Sequence, residues 1–253
     1  GTPSKLQTYL EGIQQLSEYF GQINGAPDSN AAAFEVAKAK FTTNSADAIQ
    51  QLKNMAATAP DQAKGWLNHL SSATWSIIGG KAKTHVDTVW RYQVYDNYRD
   101  NLYGRYPMSA DSRSEATIVG FDDFFKPGGI QQSFVDEFIA PFVDLRRWRA
   151  KGYDGVSLGL SGNSLAQFRR ADNIRKAFYA SGESAGAEFR AEPQKLDSSI
   201  RLFVLEVGET RVSYSHGPRI PKDIVWSGAE NNRSRIVFED LNETVSSKQY
   251  DGD

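Results

Sequence analysis

The sequence predicts an α+β protein, with an N-terminal antiparallel helical bundle followed by a small antiparallel β-sandwich domain. Three observations carry this expectation. Apolar residues recur at helical spacing through the first two thirds of the chain, they switch toward alternation after residue 186, and the stretch between is dense in aromatic rings and broken by Pro and Gly. The expected organisation is a bundle over 1–105, an aromatic-rich connector and long helix packing with the bundle over 106–186, and a β-sandwich domain over 187–253.

In the first part, Leu6, Leu10, Ile13, Leu16 and Phe20 place one apolar stripe on a helix, which Asn24-Gly25-Ala26-Pro27-Asp28 breaks. An Ala-rich stretch to Phe41 follows, and Ser45 is placed to cap a helix whose inner face holds Ile49, Leu52, Met55 and Ala56. Pro60 ends that helix, Asp61 starts another with Trp66, Leu67, Leu70 and Ile77, and Gly79-Gly80 reads as a further break. Lys81 to Leu102 then aligns Val86, Trp90, Val94 and Asn97. Such pieces, joined by short loops, specify antiparallel helices.

From Tyr106 to Lys151 only short helices fit between the prolines and glycines, notably Gln131 to Ala140. Phe121, Phe124, Phe125, Phe134, Phe138, Phe142 and Trp148 make this stretch a connector that packs against its neighbours. Ser161 to Ala180 reads as a helix with a stripe of Leu165, Phe168, Ala171, Ile174 and Phe178. Ser199 to Val207 is apolar on both faces, as a central sandwich strand requires. Shorter strands are expected at Arg211–Tyr214, Asp223–Trp226, Arg235–Glu239 and Glu243–Ser246, with Ile224 and Trp226 pointing into one core.

Composition excludes several classes. The net charge of −2 offers no global attraction for nucleic acid or an anionic membrane surface. With no cysteine there are no disulfides, thiolate metal sites or cysteine nucleophiles. No apolar run is long enough to span a bilayer. The chain begins Gly1-Thr2-Pro3 rather than with Met, which predicts a fragment of a longer protein.

No motif points to catalysis, a cofactor or a metal. His69, His85 and His216 lack partners at metal-ligand spacing, and structural or surface roles are expected for all three. Ser215-His216 are adjacent, so on a strand they face opposite ways and form no dyad. Asp122-Asp123 and Asp136-Glu137 are read as solvent-facing or capping carboxylates, and Gly79-Gly80-Lys81 lacks the rest of a phosphate loop. Acidic neighbours offset Arg146-Arg147-Trp148-Arg149 and Arg169-Arg170.

A resemblance supplies what the chemistry does not. Tyr106-Pro107, Phe121-x-x-Phe124-Phe125-x-Pro127-Gly128-Gly129, Phe138-x-x-Pro141-Phe142-Val143-Asp144 with Trp148, Phe168-x-Arg170-Ala171-x-x-Ile174-Arg175-x-Ala177-Phe178, and Tyr214-x-His216-Gly217-Pro218 followed by Trp226-x-Gly228 occur in order. Together they resemble the C-terminal region of the TssM/IcmF family of type VI secretion. The resemblance implies a non-enzymatic periplasmic domain of an inner-membrane-anchored protein. It also implies contact with the outer-membrane lipoprotein TssJ, alongside TssL and other TssM copies, in a complex linking the two membranes. The nucleotide-binding motif of some members belongs to their cytoplasmic part and does not occur here. The family continues with a further aromatic strand beyond Tyr250 to Asp253, which predicts a sandwich that ends early.

Interface residues do not transfer by motif. Exposed loops on a rigid sandwich are the expected partner surface, namely Gly217, Pro218, Arg219, Ile220 and Lys222, with Glu230, Asn231, Asn232 and Arg233. The alternatives are an envelope cell-wall hydrolase, which requires converging carboxylates or a histidine beside a nucleophile, and a carbohydrate-binding module. The latter requires a row of exposed aromatic rings, for which Tyr214 and Trp226 are the nearby candidates, and Trp226 is expected to be buried.

Overall fold

Several helix starts in this chain are set by short oxygen-bearing side chains. In a computed structural model that describes residues 4–43, 45–180, 182, 185–227 and 233–250, Ser4 caps α1 (Lys5–Asn24) by accepting from Gln7 N–H. Asp28 does the same for α2 (Ser29–Thr43), with Oδ1 2.9 Å from the nitrogens of Asn30 and Ala31. Asp47 caps α3 (Ala48–Ala57) through Gln50 N–H, so the cap lies two residues beyond the expected Ser45. The choice of Asp47 follows from its second role: it pairs at 2.8 Å with Lys40, a lysine only 3% exposed whose ammonium also donates to the Ser45 carbonyl. A buried ammonium requires this carboxylate and carbonyl together.

The chain divides into two compact units, Gly1–Asp96 with Ser133–Arg169, and Asn97–Gln132 with Arg170–Asp253. In the first, α1, α2, α3 and α4 (Asp61–Val89) form the helical bundle. Ala33 and Ala37 are fully buried on α2, where small side chains allow close approach to α4. The α1 stripe is only partly covered: Leu16 is buried, whereas Leu6 and Leu10 remain 68% and 58% exposed.

Helix α4 runs unbroken through Gly79-Gly80, contrary to the expected break. The glycine at 79 serves packing rather than termination, since a Cβ there would lie 2.4 Å from Val156 Cγ1. One π turn (Trp90–Tyr95) follows α4, with Val94 buried and the Trp90 and Tyr95 rings stacked at 5.4 Å, and the helix continues as α5 (Asp96–Asn101). The extra residue of a π turn rotates the apolar face, which displaces Trp90 from the line it shares with Val86 in the sequence pattern.

The rest of this unit lies on the bundle. The expected helix at Gln131–Ala140 is split into α7 (Ile130–Phe134), a π turn (Val135–Ile139) and a 3₁₀ turn (Ala140–Phe142). A two-residue ladder then pairs β1 (Val143–Asp144) with β2 (Arg149–Ala150). Phe138 and Phe142 pack on Phe34, and Phe142 meets Phe41 edge-on at 4.9 Å. Further along, Trp75 Nε1–H donates to the Tyr153 carbonyl at 2.9 Å. Helix α8 (Gly162–Phe178) has Leu165 and Phe168 buried, with Phe168 stacked on Phe134.

In the second unit, Thr117 caps α6 (Ile118–Phe125), whose Phe121, Phe124 and Phe125 are buried against Tyr98, Phe178 and one another. After Pro127 the chain turns through Gly128, at φ +70°, and Gly129, where a Cβ would sit 2.8 Å from the Asp123 carbonyl oxygen. Tyr179 closes the end of α8 onto this helix, its hydroxyl donating to Asp122 Oδ1 at 2.7 Å.

The β region of this unit holds two antiparallel sheets. One pairs β3 (Gly186–Ala191) with β6 (Lys222–Ser227). The other runs in the order β5 (Thr210–Tyr214), β4 (Ile200–Val207), β7 (Ser234–Asp240), β8 (Val245–Tyr250). The residues Ile224, Val207 and Val212 form the buried centre, with Ala191, Leu205 and Trp226 packed around it. Strand β4 is central, as its two apolar faces require, and β3 was not expected. The last strand starts at Val245 rather than Glu243, because Glu243 has φ +65° in a turn built on Asp240 Oδ1, which accepts from Asn242 and Thr244 N–H at 2.8 Å.

The two adjacent glycines of α4 give opposite predictions. Gly80→Ala, with open space around the new Cβ, is expected to stabilise by about 0.5–1 kcal/mol through helix propensity. Gly79→Ala is expected to destabilise by about 1–3 kcal/mol through overpacking, with partial recovery on adding Val156→Ala. Urea denaturation midpoints check both, and a neutral Gly79→Ala would contradict the close packing at Val156. Alkali gives a second test. Burial and the bond to Asp122 hold the Tyr179 hydroxyl above its ordinary pKa of 10.0, and burial with Asp47 pushes Tyr19 up to about 12. Both groups favour the folded state in their protonated form, so their contribution is fully present below pH 10.0 and declines as pH rises above it. Tyr179→Phe is expected to cost about 1 kcal/mol at neutral pH and to make the alkaline decline shallower, measured as urea midpoints at neutral pH and at about pH 11.

Candidate functional site

The expected partner surface is built on the two edges where β5 leaves one sheet and β6 enters the other. Strand β5 ends at Tyr214, and His216 takes a left-handed conformation at φ +61°. Its Nε2 lies 2.8 Å from the Ile200 carbonyl oxygen; a carbonyl only accepts, so the proton is on Nε2. This bond ties the start of the loop to the first residue of β4. From Gly217 the chain is exposed through Pro218, Arg219, Ile220 and Pro221 to Lys222, where β6 begins. The two prolines fix φ on either side of Arg219 and Ile220, which limits the entropy the loop loses when a partner orders it. Ile220 is 65% exposed, a branched apolar side chain held in solvent between two cations.

Glu230, Asn231 and Asn232 lie outside the described residues. Arg233 is exposed, and its carbonyl accepts from Gly208 N–H at 3.0 Å, which anchors the start of β7 to the tight turn between β4 and β5. Across β3 and β6, Arg190 and Asp223 form a two-pronged ion pair at 2.7 and 3.1 Å. That pair holds the Asp223 carboxyl below the usual carboxylate range and raises the Arg190 guanidinium.

The carboxylates and histidines weighed for catalysis are dispersed. Asp122 accepts from Tyr179 and from Ala185 N–H at 3.3 Å, and Asp123 pairs with Lys126 at 3.0 Å. Asp136 and Glu137 are exposed in the π turn of the other unit. His69 is exposed; His85 packs between Phe34 and Phe138 with Nδ1 3.9 Å from Asp28. Trp226 and Tyr214 are half-buried, Trp226 against the sandwich centre rather than fully enclosed as expected. Among the described residues there is no group of three or more His, Asp or Glu placed to hold a metal ion, and no helix is long and apolar enough to cross a membrane.

Comparison with known proteins gives a consistent picture. A family model described as the type VI secretion protein IcmF C2-like domain matches residues 189–253. The chain is 30% identical over 230 residues to the type VI secretion system component TssM1 of Pseudomonas aeruginosa, covering 90% of this chain and 20% of that protein. It therefore spans about a fifth of the length of that relative. Among solved structures, its fold is similar to a chain of a type VI secretion system membrane core complex, with a TM-score of 0.75 and 18% identity over 97% of this chain and 52% of that one. It is also similar to the C-terminal domain of the type VI secretion protein TssM from EAEC, with a TM-score of 0.52 and 16% identity over 67% of this chain and 70% of that one. By these matches the chain is a C-terminal region of the TssM/IcmF family, closing in an IcmF C2-like domain.

Proposed function

We propose that this chain is a non-enzymatic scaffold domain, periplasmic and carried by an inner-membrane-anchored subunit of a type VI secretion membrane complex. In this reading it binds the outer-membrane lipoprotein TssJ through the exposed loops of its β domain and helps to link the two membranes. TssL and other TssM copies are its further partners. The observation that carries the proposal is the match to TssM1 across 90% of the chain, from the bundle through the β domain. The fold likeness to a membrane core complex supports an assembly role in the same way.

Within the β domain, the segment Gly217 to Lys222 suits recognition best. It joins two sheets, is pinned at one end by His216 and at the other by β6, and presents Arg219, Ile220 and Lys222 to solvent. Arg233 at the start of β7 belongs to the same proposed surface, with Glu230, Asn231 and Asn232. An apolar side chain flanked by charge on a fixed loop is the type of anchor that a partner pocket desolvates.

Titration of this chain with purified soluble TssJ, followed by calorimetry, is expected to give saturable one-to-one binding. Combined Arg219→Glu and Ile220→Asp substitution is expected to weaken it at least about ten-fold, near 1.4 kcal/mol, without shifting the thermal midpoint. Absence of binding at about 50 μM, well above the range of specific interfaces of standard size, would refute the partner assignment. Unchanged affinity in the double variant would move the contact away from this loop.

A further inference from the structure

The second unit holds a cavity of about 590 Å³ that none of the readings above uses. Its lining is unusual in kind. The rings of Tyr106, Phe121, Phe178, Trp226 and Tyr250 contribute to it, and Glu115 is the one charged residue among the described residues around it. Glu115 is exposed. The main chain holds it in place: Tyr106 N–H donates to the Ser114 carbonyl at 2.8 Å and Ala116 N–H to the Tyr106 carbonyl at 2.9 Å, on either side of Glu115.

We propose that this cavity receives an arginine or lysine side chain presented by an extended segment of a protein partner. Two complementary attractions favour that occupant. Aromatic faces attract a cation through their quadrupoles, and a carboxylate beside them completes the charge match and accepts the cation's hydrogen bonds. Tyr250 makes a contact of the first kind within the chain, since Lys248 Nζ sits 5.0 Å from the centre of its ring. Lys248 is not among the residues that line the cavity. An anionic or purely polar ligand would meet the Glu115 charge and rings without a compensating donor set. The volume exceeds that of one basic side chain, which leaves room for its backbone and neighbours.

The position is also suited to a peptide. Trp226, near the end of β6, and Ser234, at the start of β7, both line the cavity, and Ser234 adjoins Arg233 of the proposed partner surface. The inference rests on the scaffold reading only in taking the occupant to be part of a protein.

The test uses the whole chain, labelled with ¹⁵N at its five tryptophans, with the Trp226 indole signal assigned from a Trp226→Phe variant. Acetyl-Gly-Arg-Gly-amide is expected to shift that signal saturably, whereas the citrulline counterpart and acetyl-Gly-Glu-Gly-amide leave it in place. Glu115→Gln, an exposed and isosteric change, is expected to weaken the arginine peptide at least about five-fold and to reduce its salt dependence. The proposal is overturned if the arginine peptide gives no saturable shift, if citrulline binds equally, or if Glu115→Gln has no effect. Tetramethylammonium binding as tightly as the peptide would also overturn it, by making this a site for small free cations. Peptide binding that survives in the Arg219→Glu, Ile220→Asp chain supports the cavity independently of the loop, so the two readings fail separately.

Discussion

Burial of aromatic rings contributed by the middle of the chain is the interaction on which both units depend. In the first, Phe138 and Phe142 lie against Phe34, and Phe41 bridges Phe142, Trp75 and Tyr153. In the second, Phe121 meets Phe125, Phe178 and Tyr179, while Tyr98 covers Phe124. Truncating one such ring to Ala typically costs about 3–5 kcal/mol, a large share of the net stability of a domain. The rings also set the polar groups beside them. A buried indole N–H needs an acceptor, and Trp75 finds it in the Tyr153 carbonyl, which fixes the backbone there. Tyr153 in turn lies under the Lys40 ammonium at 5.8 Å, beside the Asp47 pair that caps α3. One enclosed aromatic group thus determines a loop conformation, a buried cation and a helix start.

The β region is organised on a smaller scale. Its buried centre is Val207, Val212 and Ile224, while every residue of β8 is exposed. Such a core leaves much of the strand surface in solvent, and the register is held by local devices. These include the Asp240 turn, the Arg233–Gly208 backbone bond, and ion pairs such as Arg190–Asp223 and Arg201–Glu239. Exposed pairs of this kind contribute little stability. Their effect is to favour one pairing of the strands over a slipped alternative, since a slip by one residue would separate the charges as well as invert the faces.

Much of the fold was legible because hydrophobic period is a local signal. The helix of Leu165 and Phe168, the two-faced strand from Ile200 to Val207 and the Pro127-Gly128-Gly129 turn all sit where the pattern places them. Several misreadings trace to a requirement set by another residue, which the hydrophobic pattern does not show. Gly79-Gly80 reads as a break until Val156 is seen against it. Ser45 is as good a cap as Asp47 until Lys40 is found buried and in need of a carboxylate. Strand β3 has no clean alternation, and is defined by pairing with β6 and by Arg190 meeting Asp223. The segment Gly217–Lys222, expected as an exposed loop between strands, is exposed. The cavity was not legible, because Tyr106, Glu115, Trp226 and Tyr250 come together only through the tertiary fold.

Several carboxylates and one histidine are committed to structure. Asp122 holds Tyr179 and the Ala185 amide, Asp47 holds Lys40 and the first turn of α3, Asp240 holds two amides, and His216 holds the Ile200 carbonyl. A group already bonded in this way must give up that bond before it can accept or deliver a proton elsewhere, and the cost is the local structure it supports. Two exposed side chains of the second unit are of another kind: Ile220 between two prolines, and Glu115 at a cavity lined by aromatic residues. The proposed contacts would give each of them a complement, an apolar pocket for one and a cation for the other.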